Sequence, residues 1–367
     1  MPMNPLFHEI RRNPVLWLLI FVPVVFIVEH FRPESSTLLF VLSVFAIVPL
    51  AALLSNATES VAAKTGDAIG GLLNATLGNL TELVIALAAL RAGEYVLVKA
   101  SVAGAIVTNT LFTLGASLLL GGLKHHMQEF NRVGARFQAG LLFLATIALL
   151  LPSALGAADS AESTAFTQKL SVCLAIMLMA IYGLGLLFSL RTHRELFGAV
   201  ESHGEAEAEL WPIGLALGTL GAVTVLVALV SEIFVESVQG AALALGMSEA
   251  FVGFIVVALV GAAAEMAVAF SAARKDRLDL SVGIALGSST QIALFVAPVL
   301  VLASYVLGPT PMTLQFWPGA VFMMLIATIT ASFISNSGRS AWFVGVLVLS
   351  IYLTFAITLY LLPPRVL

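Results

Sequence analysis

The feature that constrains this chain most is a succession of eleven apolar runs, with the formal charges confined almost wholly to the gaps between them. They extend over Val15 to Val28, Thr37 to Ala63, Ile69 to Leu90, Val96 to Leu123, Phe137 to Leu155, Leu170 to Leu190, Trp211 to Val238, Ala250 to Ala273, Leu280 to Leu307, Phe316 to Ile334 and Trp342 to Leu362. A transmembrane helix needs about 20 apolar residues, so most of these runs reach or approach spanning length. Only 10% of the 367 residues are charged, where a soluble domain carries about a quarter. Lipid is therefore the solvent, and the expected fold is an all-α polytopic membrane protein of eleven helices. The connectors leave no room for a large soluble catalytic domain or a nucleic-acid-binding surface. Cys173 is the single cysteine; it cannot form an intrachain disulfide and reads as a small buried hydrophobe.

The first run follows Arg11 and Arg12 like a signal peptide, but no small-residue cleavage site follows it. Glu29, His30 and Phe31 end it, and it is expected to stay as a helix. Lysine and arginine accumulate in cytoplasmic loops, which tests the segmentation. With the N-terminus cytoplasmic, twelve basic residues fall inside: Arg11, Arg12, Lys64, Lys124, Arg132, Arg136, Arg191, Arg194, Arg274, Lys275, Arg277 and Arg339. Five fall outside: Arg32, Arg91, Lys99, Lys169 and Arg365. A miscounted helix would scramble that split, so eleven spans and an external C-terminus are expected. The short tails point to a prokaryotic cell membrane.

One polar connector, about Arg191 to Glu209, divides the chain. Its glutamates, Glu201, Glu205, Glu207 and Glu209, read as a solvated linker. The expected organisation is an N-terminal tail and extra helix over 1–31, a five-helix unit over 37–190, the acidic cytoplasmic linker over 191–210 and a second five-helix unit over 211–362. An offset of 183 residues lays Gly78 to Phe112 on Gly261 to Phe295 without a gap, with nine identities in thirty-five positions. These include Glu82 on Glu265 and Gly104 on Gly287. Five helices per copy turn the second copy upside down, the inverted repeat common among secondary transporters, whose substrates bind near the midplane at the repeat interface.

Glu82 and Glu265 lie well inside their runs. A charge at the bilayer centre costs at least about 2.5 to 3.5 kcal/mol, and no lysine or arginine is expected at their depth to pair with them. Two facing carboxylates without a protein cation bind a metal cation or hold protons. Hard cations such as Ca²⁺ take six to eight oxygen ligands. Gly78 and Gly261, four residues before each glutamate, can break the helix and free backbone carbonyls. Asn79, Thr81, Thr108, Asn109, Ser288, Ser289 and Gln291 add neutral oxygens, although small polar residues also glue membrane helices together. One divalent cation competing with about two protons for the same carboxylates gives obligatory exchange without a separate proton pathway. Glu59, toward the cytoplasmic end of the second run, and Glu232 and Glu236, toward the outer end of the seventh, are candidate cation-attracting vestibules on opposite faces.

The strings GGLLNATLGNLTELVIALAAL (Gly70 to Leu90) and LVGAAAEMAVAFSAARKDRLDLSVGIALGSSTQIALFVAPVLVL (Leu259 to Leu302) resemble the two signature repeats of the cation/proton exchanger family, within the calcium/cation antiporter superfamily. ATES (Ala57 to Ser60), the Ser231–Glu232 pair and the acidic connector fit the same pattern. The resemblance implies Ca²⁺/H⁺ antiport, with Glu82 and Glu265 as the paired calcium-binding glutamates. It implies no cofactor beyond the transported ions and leaves a homo-oligomer open. The family's second repeat usually reads GNAAEH, whereas this chain has Ala262 and Met266 at the asparagine and histidine positions, a change that bears on ion selectivity and proton coupling.

A Na⁺/Ca²⁺ or monovalent-cation/H⁺ antiporter is the nearest alternative, and a passive channel a further one. An intramembrane hydrolase is excluded by the lack of an HExxH motif, a GxSxG elbow or any aspartate within the runs.

Overall fold

The computed structural model describes residues 5–65, 67–155, 161–196 and 210–362. Most of these are helical: α1 (Pro5–Arg12), α2 (Pro14–Phe31), α3 (Ser36–Lys64), α4 (Asp67–Leu77), α5 (Leu80–Arg91), α6 (Tyr95–His125), α7 (Arg132–Leu155), α8 (Thr164–Thr192), α9 (Ile213–Leu245), α10 (Glu249–Gly261), α11 (Ala263–Arg274), α12 (Leu278–Leu307), α13 (Pro318–Ser337) and α14 (Trp342–Leu361). The acidic cluster of the connector and Arg365 lie outside the described residues.

Among the described residues, nine helices are long and apolar enough to cross a membrane, and α10 with α11 makes a tenth as a pair bent by 58° at Ala262. The third expected run accounts for the difference from eleven. It is broken into α4 and α5 at Gly78–Asn79, where Asn79 has φ −100° and ψ 31°. Ala262, which the 183-residue offset places on Asn79, is likewise off the helical geometry at φ −79° and ψ 3°. Apolar runs also mark helix ends poorly: α9 runs past Val238 to Leu245, where Gly246 at φ 66° ends it. A left-handed residue there lets the Met247 N–H reach back to the Ala242 carbonyl at 2.8 Å.

Helices from the two halves interleave. α3 packs along α9, with Phe40 stacked on Phe234 at 5.3 Å. α7 packs on α13 through a Thr146–Thr328 hydrogen bond of 2.9 Å. α6 lies against α14, where a Cβ on Gly345 would collide with the α6 backbone at Gly115 and Leu119. α12 and α8 meet through stacked Phe295 and Tyr182 rings, 5.6 Å apart. Both α6 and α12 carry a π-helical stretch, Thr108–Thr113 and Ile292–Val296, at places matched by the offset.

The outer face is apolar, as lipid contact requires, with Trp17, Ile176, Leu184, Val225 and Val306 all exposed. Cys173 lies on this face of α8 and is exposed, not buried as expected. Hydropathy does not separate a core position from a lipid-facing one, because both are apolar.

Two polar belts close the ends of the bundle. In one, β1 (Met127–Glu129) pairs antiparallel with β2 (Arg339–Ala341), and Lys124 Nζ donates to the Arg274 carbonyl at 2.9 Å. Gln128 Nε2 donates to the Ala273 carbonyl at 3.0 Å, the Asn131 N–H to Asp279 at 2.8 Å, and Arg136 to Asn336. In the other, Arg91 pairs with Glu232 at 3.0 Å, Gln239 donates to Glu94 at 2.9 Å, and the Thr310 N–H donates to the Tyr95 hydroxyl at 2.9 Å. The connectors expected on one face of the membrane thus meet at one end, and those expected on the other face at the opposite end.

Candidate functional site

The two breaks place Glu82 and Glu265 alike. Each is the third residue of a helix that starts in mid-bundle, after Asn79 in one case and Ala262 in the other. Neither boundary residue caps its helix with a side chain, and each half-helix starts with the positive end of its dipole inside the bundle. A Cβ on Gly261 would lie 2.9 Å from Glu82 Cγ. The glycine lets the Glu82 side chain lie across the opposite break, four residues before Glu265. Glu82 Oε1 and Glu265 Oε2 are both buried without a hydrogen-bond partner. Such acceptors are costly to leave unpaired, and each is open to a positive guest.

Neutral oxygens surround the pair. Ser288 Oγ donates to Asn79 Oδ1 at 2.6 Å, Asn79 Nδ2 to Gln291 Oε1 at 2.5 Å, and Asn109 Nδ2 to Ser288 Oγ at 3.0 Å. Asn79 therefore ties the α5 break to α12 instead of capping its own helix. Among the described residues no group of three or more His, Cys, Asp or Glu side chains comes together. The donor set is two carboxylates with amide, hydroxyl and carbonyl oxygens, which suits a hard cation and not a thiophilic one.

Access to the pair is one-sided. A cavity of about 280 Å³ reaches Glu265, Ser288, Gln291 and Gly78 and is lined toward its mouth by Glu59 and Leu280. Leu280 is in the first turn of α12, so the mouth lies at the end carrying the β1–β2 ladder. Glu82 instead contacts a void of about 10 Å³ with Ser101, Ala105, Val257 and Ala258. Under the 183-residue offset the two spaces correspond: Glu82 to Glu265, Ser101 to Ile284, Ala105 to Ser288 and Val257 to Asn74. The glycines match this difference. A Cβ on Gly104 would run into the Phe254 backbone of α10, whereas one on Gly287 would meet nothing within 4 Å.

The sequence-selected residues divide accordingly. Glu82, Glu265, Gly78, Gly261, Asn79, Asn109, Ser288 and Gln291 come together. Thr108 turns away to the Tyr352 hydroxyl at 3.2 Å, and Ser289 bonds Thr110 at 2.9 Å, so both join helices and neither lines the cavity. Thr108 lacks the amide that its counterpart Gln291 meets, because Ala262 stands where Asn79 stands in the first half. Thr81 is buried in the first turn of α5. Glu59 lines the cavity mouth. Glu232 lies at the other end and is held by Arg91, with side chains 47% and 63% exposed; Glu236 is exposed one turn further on. Lys99 lies near that end of α6 and donates to Thr313 at 3.5 Å, and among the described residues neither Glu82 nor Glu265 forms an ion pair. Sequence reasoning missed Ser55 and Asn74 in the cavity wall. Each sits four residues before a selected residue, Glu59 and Gly78, and so on the same helical face.

Comparison with known proteins follows the same direction. The family described as sodium/calcium exchanger protein matches residues 35–191 and 215–361. The Ca²⁺/H⁺ antiporter of Aphanothece halophytica is 38% identical over 96% of this chain and 98% of its own length. The Ca²⁺/H⁺ antiporter ChaA of Bacillus subtilis (strain 168) is 40% identical over 89% and 93%. The solved structure of native YfkE, 36% identical, aligns with a TM-score of 0.81 over 95% of this chain and 100% of that one. The crystal structure of the H⁺/Ca²⁺ exchanger CAX, 17% identical, shares the fold with a TM-score of 0.70 over 96% and 88%.

Proposed function

Because this chain belongs to the sodium/calcium exchanger family, we propose that it is a multi-pass membrane antiporter that exchanges Ca²⁺ for H⁺ by alternating access, with Glu82 and Glu265 binding calcium and protons in turn. The family consists of transporters, not enzymes. The observation that carries the reading is the pair of buried carboxylate oxygens, Glu82 Oε1 and Glu265 Oε2, which have no protein donor. Full-length similarity to proteins named Ca²⁺/H⁺ antiporter supports the ion pair exchanged.

Charge explains the coupling. Ca²⁺ or two protons neutralise the two carboxylates, whereas the empty site carries both charges. A site emptied of both ligands holds two uncompensated midplane charges, at least about 2.5 to 3.5 kcal/mol each, which opposes closing over it. Each turnover is then held to exchange. Asn79, Ser288, Gln291 and the carbonyls freed at Gly78 and Gly261 complete the oxygen shell, and Asn109 orients Ser288. Thr108 and Ser289 hold the helices that frame it. Glu59 draws cations to the open mouth, and Glu232 and Glu236 form the vestibule of the opposite face.

The unequal pair of matched cavities supports alternation. Counting each broken pair as one crossing gives eleven spans: an extra helix, then two inverted five-helix units. The pairings α3 with α9, α7 with α13, and α6 with α14 against α12 with α8 are those an inverted two-fold generates. The N-terminus is then cytoplasmic, the C-terminus external, and the open cavity faces the cytoplasm of a prokaryotic cell. The test is uptake of radiolabelled Ca²⁺ into proteoliposomes driven by a pH gradient. Uptake that follows the pH gradient and survives removal of Na⁺ is expected. Uptake that requires a Na⁺ gradient, or that persists without any counter-ion, overturns the proposal.

A further inference from the structure

A second, smaller cavity of about 40 Å³ lies behind α12, among Gln138 of α7, Tyr182 and Ser189 of α8, and Thr290. It shares two lining residues with the cation cavity, Gly287 and Gln291. Apart from the backbone of α12 itself, nothing lies within 4 Å of where a side chain on Gly287 would begin. At that residue the wall between the two spaces is a single backbone. Gln291 stands beside this window with its Oε1 held by Asn79, which itself holds Ser288 next to Glu265.

Size and chemistry determine what the small cavity takes. A water needs about 10 to 15 Å³ of such volume and two to four polar partners, so the chamber holds a few waters and not a hydrated divalent cation. Amide and hydroxyl groups line it, together with apolar side chains such as Phe137 and Leu141, and its one ionisable side chain is the Tyr182 phenol. It thus offers hydrogen bonds to water and no carboxylate to a metal. Gln138 is in the second turn of α7 and Ser189 near the end of α8, on the same side of the bundle as the mouth of the cation cavity.

We propose that this side chamber is a water site serving as a separate proton branch, which delivers protons through the Gly287 window to the glutamate pair. The inference rests on the Ca²⁺/H⁺ reading above and deepens it. Hydronium in the chamber gives up a proton along hydrogen-bonded waters, the proton ends on a carboxylate oxygen of Glu265, and a neutral water remains behind. Protons then reach the site without passing the departing cation in the main cavity, in contrast to the single shared route expected from sequence.

The test separates the two ions. In proteoliposomes, Gln138→Leu with Ser189→Ala is compared with wild type in pH-driven Ca²⁺ uptake and in Ca²⁺/Ca²⁺ exchange without a pH gradient. A fall of about tenfold in pH-driven uptake, what one or two lost hydrogen bonds are worth, with Ca²⁺/Ca²⁺ exchange retained, is the expected result. Gly185→Val, which fills the chamber from α8 near Leu141 and Phe137, should reproduce that split. Equal loss of both activities in both variants, or no loss in either, overturns the proton branch. Absence of pH-driven uptake in the wild type instead overturns the antiport reading.

Discussion

Gly104 and Gly287 occupy equivalent places in the two halves, yet one is sealed against a neighbouring backbone and the other faces open space. Adding a methyl group to each should therefore have unequal effects. In Gly104→Ala the new Cβ meets the carbonyl and Cα of Phe254, so α6 and α10 must part. Overpacking of this kind costs about 1 to 3 kcal/mol. The contact belongs to the state in which the Glu265 side is open, so that cost falls on this state and not on its alternate. The equilibrium should shift about 5- to 160-fold toward the state open on the Glu82 side. Gly287→Ala meets nothing here and should leave the population of this state's own geometry unstrained. The assay uses a Cys173→Ser background, which removes the single native thiol, with a reporter cysteine at Ile284 or at its counterpart Ser101. Gly104→Ala should slow modification of Cys at 284 by a membrane-impermeant reagent and speed modification at 101 from the opposite face. Unchanged rates at both positions, with folded protein, would refute the correspondence between the two cavities.

Other outcomes are equally definite. Glu82→Gln and Glu265→Gln each remove half the charge that Ca²⁺ needs, and each should lower pH-driven uptake by at least about 100-fold, since a lost charge pairing in a desolvated site is worth about 3 kcal/mol or more; uptake within threefold of wild type would rule out the pair as the site. Protons and Ca²⁺ compete for the same oxygens, so Ca²⁺ binding, measured by calorimetry in detergent, should weaken as pH falls and strengthen as it rises. The change approaches a hundredfold per pH unit where two protons are displaced, and pH-independent binding would contradict the competition. Arg91→Ala breaks an ion pair that is largely exposed, and thermal unfolding should report no more than about 1 kcal/mol of lost stability.

The sequence carried the lipid solvent, the helical class and the glutamate pair because each rests on a large energy: burial of apolar surface, or the cost of a midplane charge. Hydropathy cannot see a broken helix whose halves are both apolar, so the third run reads as one helix although Asn79 leaves helical geometry in its middle. Nor does it tell core from lipid face, hence the exposure of Cys173. The polar neighbours were legible as a set but not one by one. Asn79 and Gln291 find each other across 212 residues, and only packing decides that Thr108 faces Tyr352 instead. Ser55 and Asn74, which sequence reasoning missed, sit four residues before Glu59 and Gly78, so a helical-face argument that needs no fold could have found them.

Each glutamate rides on a half-helix that is moored at its far end. α11 is fastened at Ala273 and Arg274 by Gln128 and Lys124, and α5 at Arg91 by Glu232. α10 is held by packing instead, with its Phe254 backbone against Gly104 of α6. Under the alternating access proposed above, such moorings would keep the two glutamates nearly still. On that proposal it is the barrier that would move, while the ion stays where it is bound.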